Sequence, residues 1–279
     1  MICNNSNIME KKCLEDICFI GDGAHASLKR QSEGILYLTA KNLNKAGIDY
    51  KNVSYIDKKT FDKHFTENNN TVKCPKKGDI LYSIIGSLGG CYLVNDEKIG
   101  ISSSIAIFRP NTNKVDVNYL FYYLKSKLFQ KKIDSLKGGV AQGFLSLGKL
   151  ASIEINLPKS LIIQNKIAKI LKNYDDLIEN NKKQIKLLEE ATKRLYKEWF
   201  IKFNFPGHKN IKFVDGIPEG WRRISVNNCL ESYIGGGWGK EIQTGKNAFL
   251  GKVVRGTDIN EIKQGFFSNV PIRYHTEMM

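Results

Sequence analysis

The chain has 279 residues, 42% hydrophobic and 25% charged, which suits a soluble globular protein of one large or two medium domains. Forty-three Lys and Arg against 28 Asp and Glu leave a net charge of +15; such an excess draws polyanions, nucleic acid first among them, although a lysine-rich composition without any partner fits the charge equally well. No stretch approaches the ~18 consecutive apolar residues of a membrane span, Met1 to Lys12 holds no signal-peptide core, and Cys3, Cys13, Cys18, Cys74, Cys91 and Cys229 form no C-x-x-C pair, so reduced thiols, a cytoplasmic location and no membrane contact are expected.

Three regions follow one another. Residues 1–157 mix short strands, glycine turns and a helix. Lys76-Lys77-Gly78 is a turn feeding Asp79 to Ile85, an apolar run of strand length. Gly86-Ser87-Leu88-Gly89-Gly90 breaks that run, and Cys91 to Val94 resumes it. Ile99 to Phe108 alternates as a single strand, with Ile101, Ser103, Ile105 and Ile107 on one side, and stops at Arg109-Pro110. From Val117 to Leu136 the spacing of Leu120, Tyr123, Leu124, Leu128 and Ile133 predicts one helix, with Asp116 as its N-cap. The region reads as an α+β globular domain.

The second region, 158–204, carries the clearest periodicity. Leu161 to Phe200 contains no Pro or Gly. Ile167, Leu171, Tyr174, Ile178, Asn181, Ile185, Leu188, Thr192, Leu195 and Trp199 step alternately by four and three, a strict heptad seam. A helix of that length spans roughly 60 Å, too long to pack wholly inside so small a domain, and is read as a coiled-coil strut; a long core helix is the alternative. Asn181 and Thr192 weaken the seam but can fix register or partner.

The third region, 205–279, follows the linker Phe205-Pro206-Gly207-His208 and repeats the first. Cys13-Leu14-Glu15 recurs as Cys229-Leu230-Glu231, Ile20-Gly21-Asp22-Gly23 as Ile234-Gly235-Gly236-Gly237, and Tyr37 to Leu43 as Val253 to Ile259. Three short matches in one order suggest a duplication whose second copy is incomplete.

Catalytic patterns are missing. Gly235 to Glu241 fails the phosphate-loop pattern on glycine spacing and on its final residue. The histidines (His25, His64, His208, His275) lie far apart with no metal-ligand spacing, no G-x-S-x-G occurs, and no Asn- or Asp-Pro-Pro-aromatic tetrapeptide of amino-methyltransferases is present. Asp258 with Glu261-Ile262-Lys263 is a nuclease-like carboxylate and E-x-K, but the spacing is too short. Neither cofactor nor metal is expected, and no catalytic centre.

Leu157-Pro158, followed by Gln164-Asn165-Lys166-Ile167-Ala168-Lys169-Ile170-Leu171, is similar to the join between recognition domain and conserved helix in one family, the specificity subunits of type I restriction-modification systems. Lys77-Gly78-Asp79-Ile80-Leu81 with Gly86-Ser87-Leu88-Gly89, the segment Gly139 to Ser146, and Ile217-Pro218-Glu219-Gly220-Trp221 resemble further motifs in the same order. The resemblance implies two target-recognition domains, each reading half of a split double-stranded DNA site and held apart by antiparallel helices. Modification (methyltransferase) and restriction (endonuclease/translocase) subunits would dock on that frame and supply the chemistry. On this reading residues 1–157 form the first recognition domain, 158–204 the spacer helix and 205–279 an incomplete second domain. The second conserved helix of the family is missing, which leaves open a fragment, a frameshifted remnant, or a half-length subunit that self-pairs through the spacer helix. A non-catalytic assembly scaffold is the alternative function.

Candidate DNA contacts are Lys29 and Arg30, with Gln31, in a glycine-bounded loop; Thr39, Lys41 and Asn42 after the repeated strand; and Lys137, Gly139 and Gln142, which combine a cation, close-approach backbone and an amide able to pair with adenine. Each has a bland reading as an exposed strand end or a chain-reversing loop. Ser102, Ser103 and Ser104 are read as a polar strand face, and Lys182, Lys183 and Lys186 as a solvated helix face.

Overall fold

The computed structural model describes residues 8–66, 73–86, 88–136, 144–232, 236–263, 267 and 269–276. The chain divides into two compact units, Met1–Glu190 and Ala191–Met279.

The first unit runs β1 (Met9–Cys13), α1 (Leu14–Ile17), β2 (Cys18–Asp22), β3 (Ile35–Leu38), β4 (Leu43–Asn44), β5 (Gly47–Ile48), β6 (Ser54–Ile56) and α2 (Lys58–His64). It continues through β7 (Ile80–Ser83), β8 (Cys91–Leu93), β9 (Ile99–Ile101), β10 (Ile105–Pro110), α3 (Val117–Lys125), α4 (Lys127–Leu136), α5 (Leu147–Ala151) and β11 (Glu154–Pro158) into the long helix α6 (Leu161–Tyr196). Strands β2, β10, β7 and β8 form an antiparallel sheet in that order, β6, β3 and β9 a second sheet in which β3 and β9 are parallel, and β1 pairs with β11.

Alternation along β7 and β10 builds two cores. Side chains of a strand point to opposite faces at successive positions. Ile80, Tyr82, Ala106 and Phe108 therefore join Leu120, Leu124, Phe129, Ile133 and Leu150 on one face. Leu81, Ile105 and Ile107 join Leu38, Ile56, Phe61, Ile99 and Ile101 on the other. The central sheet is buried on both sides, which explains why β7 is a continuous apolar run rather than an alternating one.

Two sequence expectations are corrected. The single strand expected over Ile99 to Phe108 is two strands, β9 and β10, in different sheets. A turn at Ser103–Ser104 separates them, and the Ser104 hydroxyl accepts a hydrogen bond from the Ala40 N–H (2.9 Å). Arg109 and Pro110 do not end this strand from outside; they belong to β10 and pair with Phe19 and Cys18. The single helix expected over Val117 to Leu136 breaks at Ser126, whose extended backbone and hydroxyl, accepting from the Phe129 N–H (3.1 Å), start α4 afresh. Asp116 does cap α3, accepting from the Tyr119 N–H at 2.9 Å. The long helix expected over Leu161 to Phe200 is present: a π turn over Lys197–Ile201 continues α6 from Tyr196, with the Lys202 N–H donating to the Lys197 carbonyl (2.9 Å).

Two polar devices lock the first unit. Asp79 is 2% exposed and receives two hydrogen bonds from the Arg109 guanidinium (2.9 and 2.7 Å) and one from the Lys76 N–H (2.8 Å). Gln164 is fully buried: its Oε1 accepts from the Asp116 N–H (2.8 Å) and its Nε2 donates to the Pro158 carbonyl (2.7 Å). Gln164, Ala168 and Asp175, at steps of four and seven, share the face of α6 that meets this unit, where Lys125 lies 3.8 Å from the Asp175 carboxylate. The heptad stripe adjoins that face, Leu171 standing one heptad after Gln164, and is solvent-facing, from Ile167 (37% exposed) to Tyr174 (64%).

The second unit contains the short hairpin β12 (Phe213–Val214) and β13 (Ile217–Pro218), then β14 (Phe249–Lys252), α7 (Ile259–Ile262) and β15 (Ile272–His275), with β14 and β15 antiparallel. Trp221 gathers its aromatic residues: Phe205 stacks on it at 5.6 Å, and Phe203 and Phe200 lie at 5.6 and 5.9 Å.

Candidate nucleic-acid interface

Three loops converge at the carboxyl ends of the parallel strands β3 and β9. Ala24 bridges Ser102, its N–H donating to the Ile101 carbonyl (2.8 Å), and the Ser102 and Ser104 hydroxyls lie 2.6 Å apart. The start of loop 23–34, the turn after β3 and the serine turn therefore share one edge of the module, and the loop then runs back to bridge β6 at Gln31. The serines are joints between loops rather than a strand face.

The predicted contacts divide on this edge. Lys29 and Arg30 are exposed in the loop anchored by buried Leu28, and the Arg30 guanidinium stands 5.6 Å over the Tyr37 ring. Burial pushes the Tyr37 phenol up and the Arg30 charge works against it, so Tyr37 is a neutral shelf. Lys41 is exposed. Thr39 is half-buried, and Asn42 is 6% exposed with its amide committed internally. The Asn42 Oδ1 accepts from the Thr39 N–H and lies 3.0 Å from its hydroxyl, and the Asn42 Nδ2 donates to the Asn52 carbonyl (3.0 Å). Asn42 shapes the turn that presents Lys41. Lys137, Gly139 and Gln142 lie outside the described residues.

The second unit reproduces this turn. Residues 256–258 form a 3-10 turn 216 positions after residues 40–42, and the Arg255 N–H donates to Asp258 (2.8 Å) as the Thr39 N–H donates to Asn42. A second correspondence was invisible in the sequence. Gln31 and Tyr55 exchange both backbone hydrogen bonds beside β6 (2.9 and 3.1 Å), and Lys240 and Tyr274 do the same within β15 (2.9 and 2.8 Å). The match of Cys13-Leu14-Glu15 to Cys229-Leu230-Glu231 does not extend to local structure, since Leu14 opens a helix and is buried while Leu230 is exposed. The match of Ile20–Gly23 to 234–237 falls partly outside the described residues.

Asp258, half of the nuclease-like pattern, faces inward onto the Arg255 guanidinium (2.7 Å), which holds its carboxyl down at about 2. Its oxygens are capping and pairing groups, not open ligands. Among the described residues no group of three His, Cys, Asp or Glu could hold a metal ion, and no helix is long and apolar enough to cross a membrane.

A family model described as "Type I restriction modification DNA specificity domain" matches residues 7–190, about two-thirds of the chain. Among curated proteins, the "Putative type I restriction enzyme MjaX specificity subunit" of Methanocaldococcus jannaschii is 36% identical over 160 residues, covering 54% of this chain and 37% of that protein. The "Type I restriction enzyme HindI specificity subunit" of Haemophilus influenzae is 33% identical over 152 residues, 52% of this chain and 32% of its own length. These matches span about a third of each relative's length. The crystal structure of the type I restriction-modification S subunit of M. genitalium superposes with a TM-score of 0.52 at 19% identity, over 71% of this chain and 48% of that one, a likeness of fold. With its strut-bearing α+β module matched along its length by the family model, the chain belongs to the type I restriction-modification DNA specificity domain family.

Proposed function

We propose that this chain directs type I modification and restriction subunits to a split DNA site without catalysing any step itself. The observation that carries the reading is the family match over 7–190, which takes in both the α+β module and the helix beyond it. The module, residues 1–157, reads one half-site through the loop edge bearing Lys29, Arg30, Thr39 and Lys41, with the net charge of +15 supplying sequence-independent attraction to the duplex. Helix α6 serves as the spacer, and the turn at 256–258 marks the start of a second reading module within 205–279. The chain works in the cytoplasm, where the modification subunits and, through them, the restriction subunit dock on it.

Self-pairing through α6 belongs to the same proposal. Ile167, Leu171, Tyr174, Ile178, Ile185 and Leu195 are all at least 37% exposed along one heptad stripe, and a stripe of that period is the surface two helices bury against each other. The test has two parts. Purified chain should bind duplex DNA with an affinity that falls steeply with salt, and should neither methylate nor cleave it until the partner subunits are added. Sedimentation should show association that Leu171→Asp with Ile178→Asp abolishes. Salt-independent binding, or methylation by the chain alone, would overturn the reading.

A further inference from the structure

A cleft of about 410 Å³ lies on the first unit, lined by Lys45, Gly89, Lys125, Lys127, Gln130, Lys131 and Asp134. Four lysines from three separate segments line it together with Asp134. Lys45 is at the tip of the β4–β5 hairpin, Lys125 ends α3, and Lys127 and Lys131 stand one turn apart on α4. Lys125 has company, lying 3.8 Å from Asp175 and 4.9 Å from the Phe121 ring centre. Lys45, Lys127 and Lys131 are exposed and make no ion pair among the described residues.

The cleft is held in shape by the glycine turn between β7 and β8. A Cβ on Gly90 would stand 2.2 Å from the Leu43 carbonyl oxygen, and one on Gly89, at φ +92°, would stand 2.2 Å from the Gln130 Oε1. Only bare backbone lets the hairpin and α4 close on the turn from both sides. The buried Ser83 hydroxyl accepts from the Gly90 N–H (2.8 Å), and Gln130 is pinned by its hydrogen bond to the Tyr82 hydroxyl (2.7 Å). A floor fixed by close backbone packing with exposed cations on its rim suits a group of high negative charge and little shape.

We propose that this cleft binds a backbone phosphate of duplex DNA, positioning the first module on the duplex independently of base sequence. The proposal rests on the DNA-reading function above and adds Lys45, Lys125, Lys127 and Lys131 to the residues offered there as DNA contacts. Flexible point charges match phosphate positioning rather than base readout, which uses forked or amide groups.

The test is fluorescence anisotropy of random-sequence duplex binding to the full chain across a potassium chloride series. Lys127→Gln with Lys131→Gln should flatten the slope of log K against log[salt] by about 0.9 for each phosphate no longer neutralised, and weaken binding by roughly threefold to tenfold at 0.1 M salt. Lys127→Arg with Lys131→Arg should restore it. Lys58→Gln with Lys59→Gln, which removes the same charge from exposed positions on α2, is the control. If both Gln pairs change affinity and slope equally, the cleft assignment is overturned while the DNA-reading function stands. If the unaltered chain shows no salt-dependent binding, the function itself fails. Protection of the cleft lysines from acylation by inorganic phosphate at millimolar concentration, with none by duplex, would assign the cleft to free phosphate and also overturn the proposal.

Discussion

Replacing Gln164 by Leu should loosen the seat of α6 on the first unit more than any other single change on that helix. The side chain is fully buried and answers two backbone groups, the Asp116 N–H at 2.8 Å and the Pro158 carbonyl at 2.7 Å. Leu fills a similar volume and leaves both groups buried without a partner, at about 1–3 kcal/mol each. Release of the frozen Gln rotamers and burial of the added apolar surface offset part of this, so the net loss is about 2–4 kcal/mol. For a unit of this size that corresponds to a Tm lower by roughly 5–15 °C. The neighbour Asn165 hydrogen-bonds the same Asp116 from an exposed position (3.1 Å); Asn165→Ala should stay within about 0.5 kcal/mol. Gln164→Glu supplies a third arm: it keeps the acceptor for the Asp116 N–H, sets a carboxylate against the Pro158 carbonyl, and should regain stability as the carboxyl protonates on acidification. Urea unfolding followed by circular dichroism reads all three. A Gln164→Leu chain within about 1 kcal/mol of the parent, or no less stable than Asn165→Ala, would refute the reasoning.

Arg109→Ala leaves the 2%-exposed Asp79 carboxylate without its guanidinium and should cost about 3–5 kcal/mol, whereas Lys77→Ala, which breaks an exposed pair with Asp96, should leave the unfolding midpoint unchanged. Burial holds the Cys18 and Cys91 thiols at about 12, so mass-mapped alkylation at pH 8 should label exposed Cys229 in the native chain and reach those two only on unfolding; native labelling of Cys91 would contradict the packing. The Arg255 guanidinium lowers the Asp258 carboxyl to about 2. Because the folded value lies below the unfolded one, stabilisation of the 256–258 turn is present at neutral pH, declines below about pH 4 and is lost as pH falls through about 2. Amide exchange of that turn should show this dependence, and Asp258→Asn should remove it.

Much of this molecule was legible as pattern. The heptad stripe predicted the long helix through α6 into the π turn that continues it, because a stretch of some forty residues without Pro or Gly has few alternatives to a helix. Asp116 was legible as a cap because capping is local, and the turn shared by 40–42 and 256–258 appeared in the matched segments. Missed features depended on groups distant in the chain. Alternation over Ile99 to Phe108 spoke for one strand, and those isoleucines do share one core, but Ser104 meets Ala40 sixty-four positions away and turns the chain between sheets. Asp79, noticed as part of a motif, answers Arg109 thirty positions on. Asn42 looked like a base-reading amide, yet its hydrogen bonds to Thr39 and Asn52 close a turn. The lysine cleft joins position 45 to positions 125–131.

Periodicity and local caps thus settled the helical strut and the α+β class, since each is written within one or two turns of contiguous chain. Folding in three dimensions decided the rest: which polar side chains are joints and which stay exposed, and where cations from separate segments meet. Burial and hydrogen-bond satisfaction are properties of neighbours in space, and no spacing along the backbone encodes them.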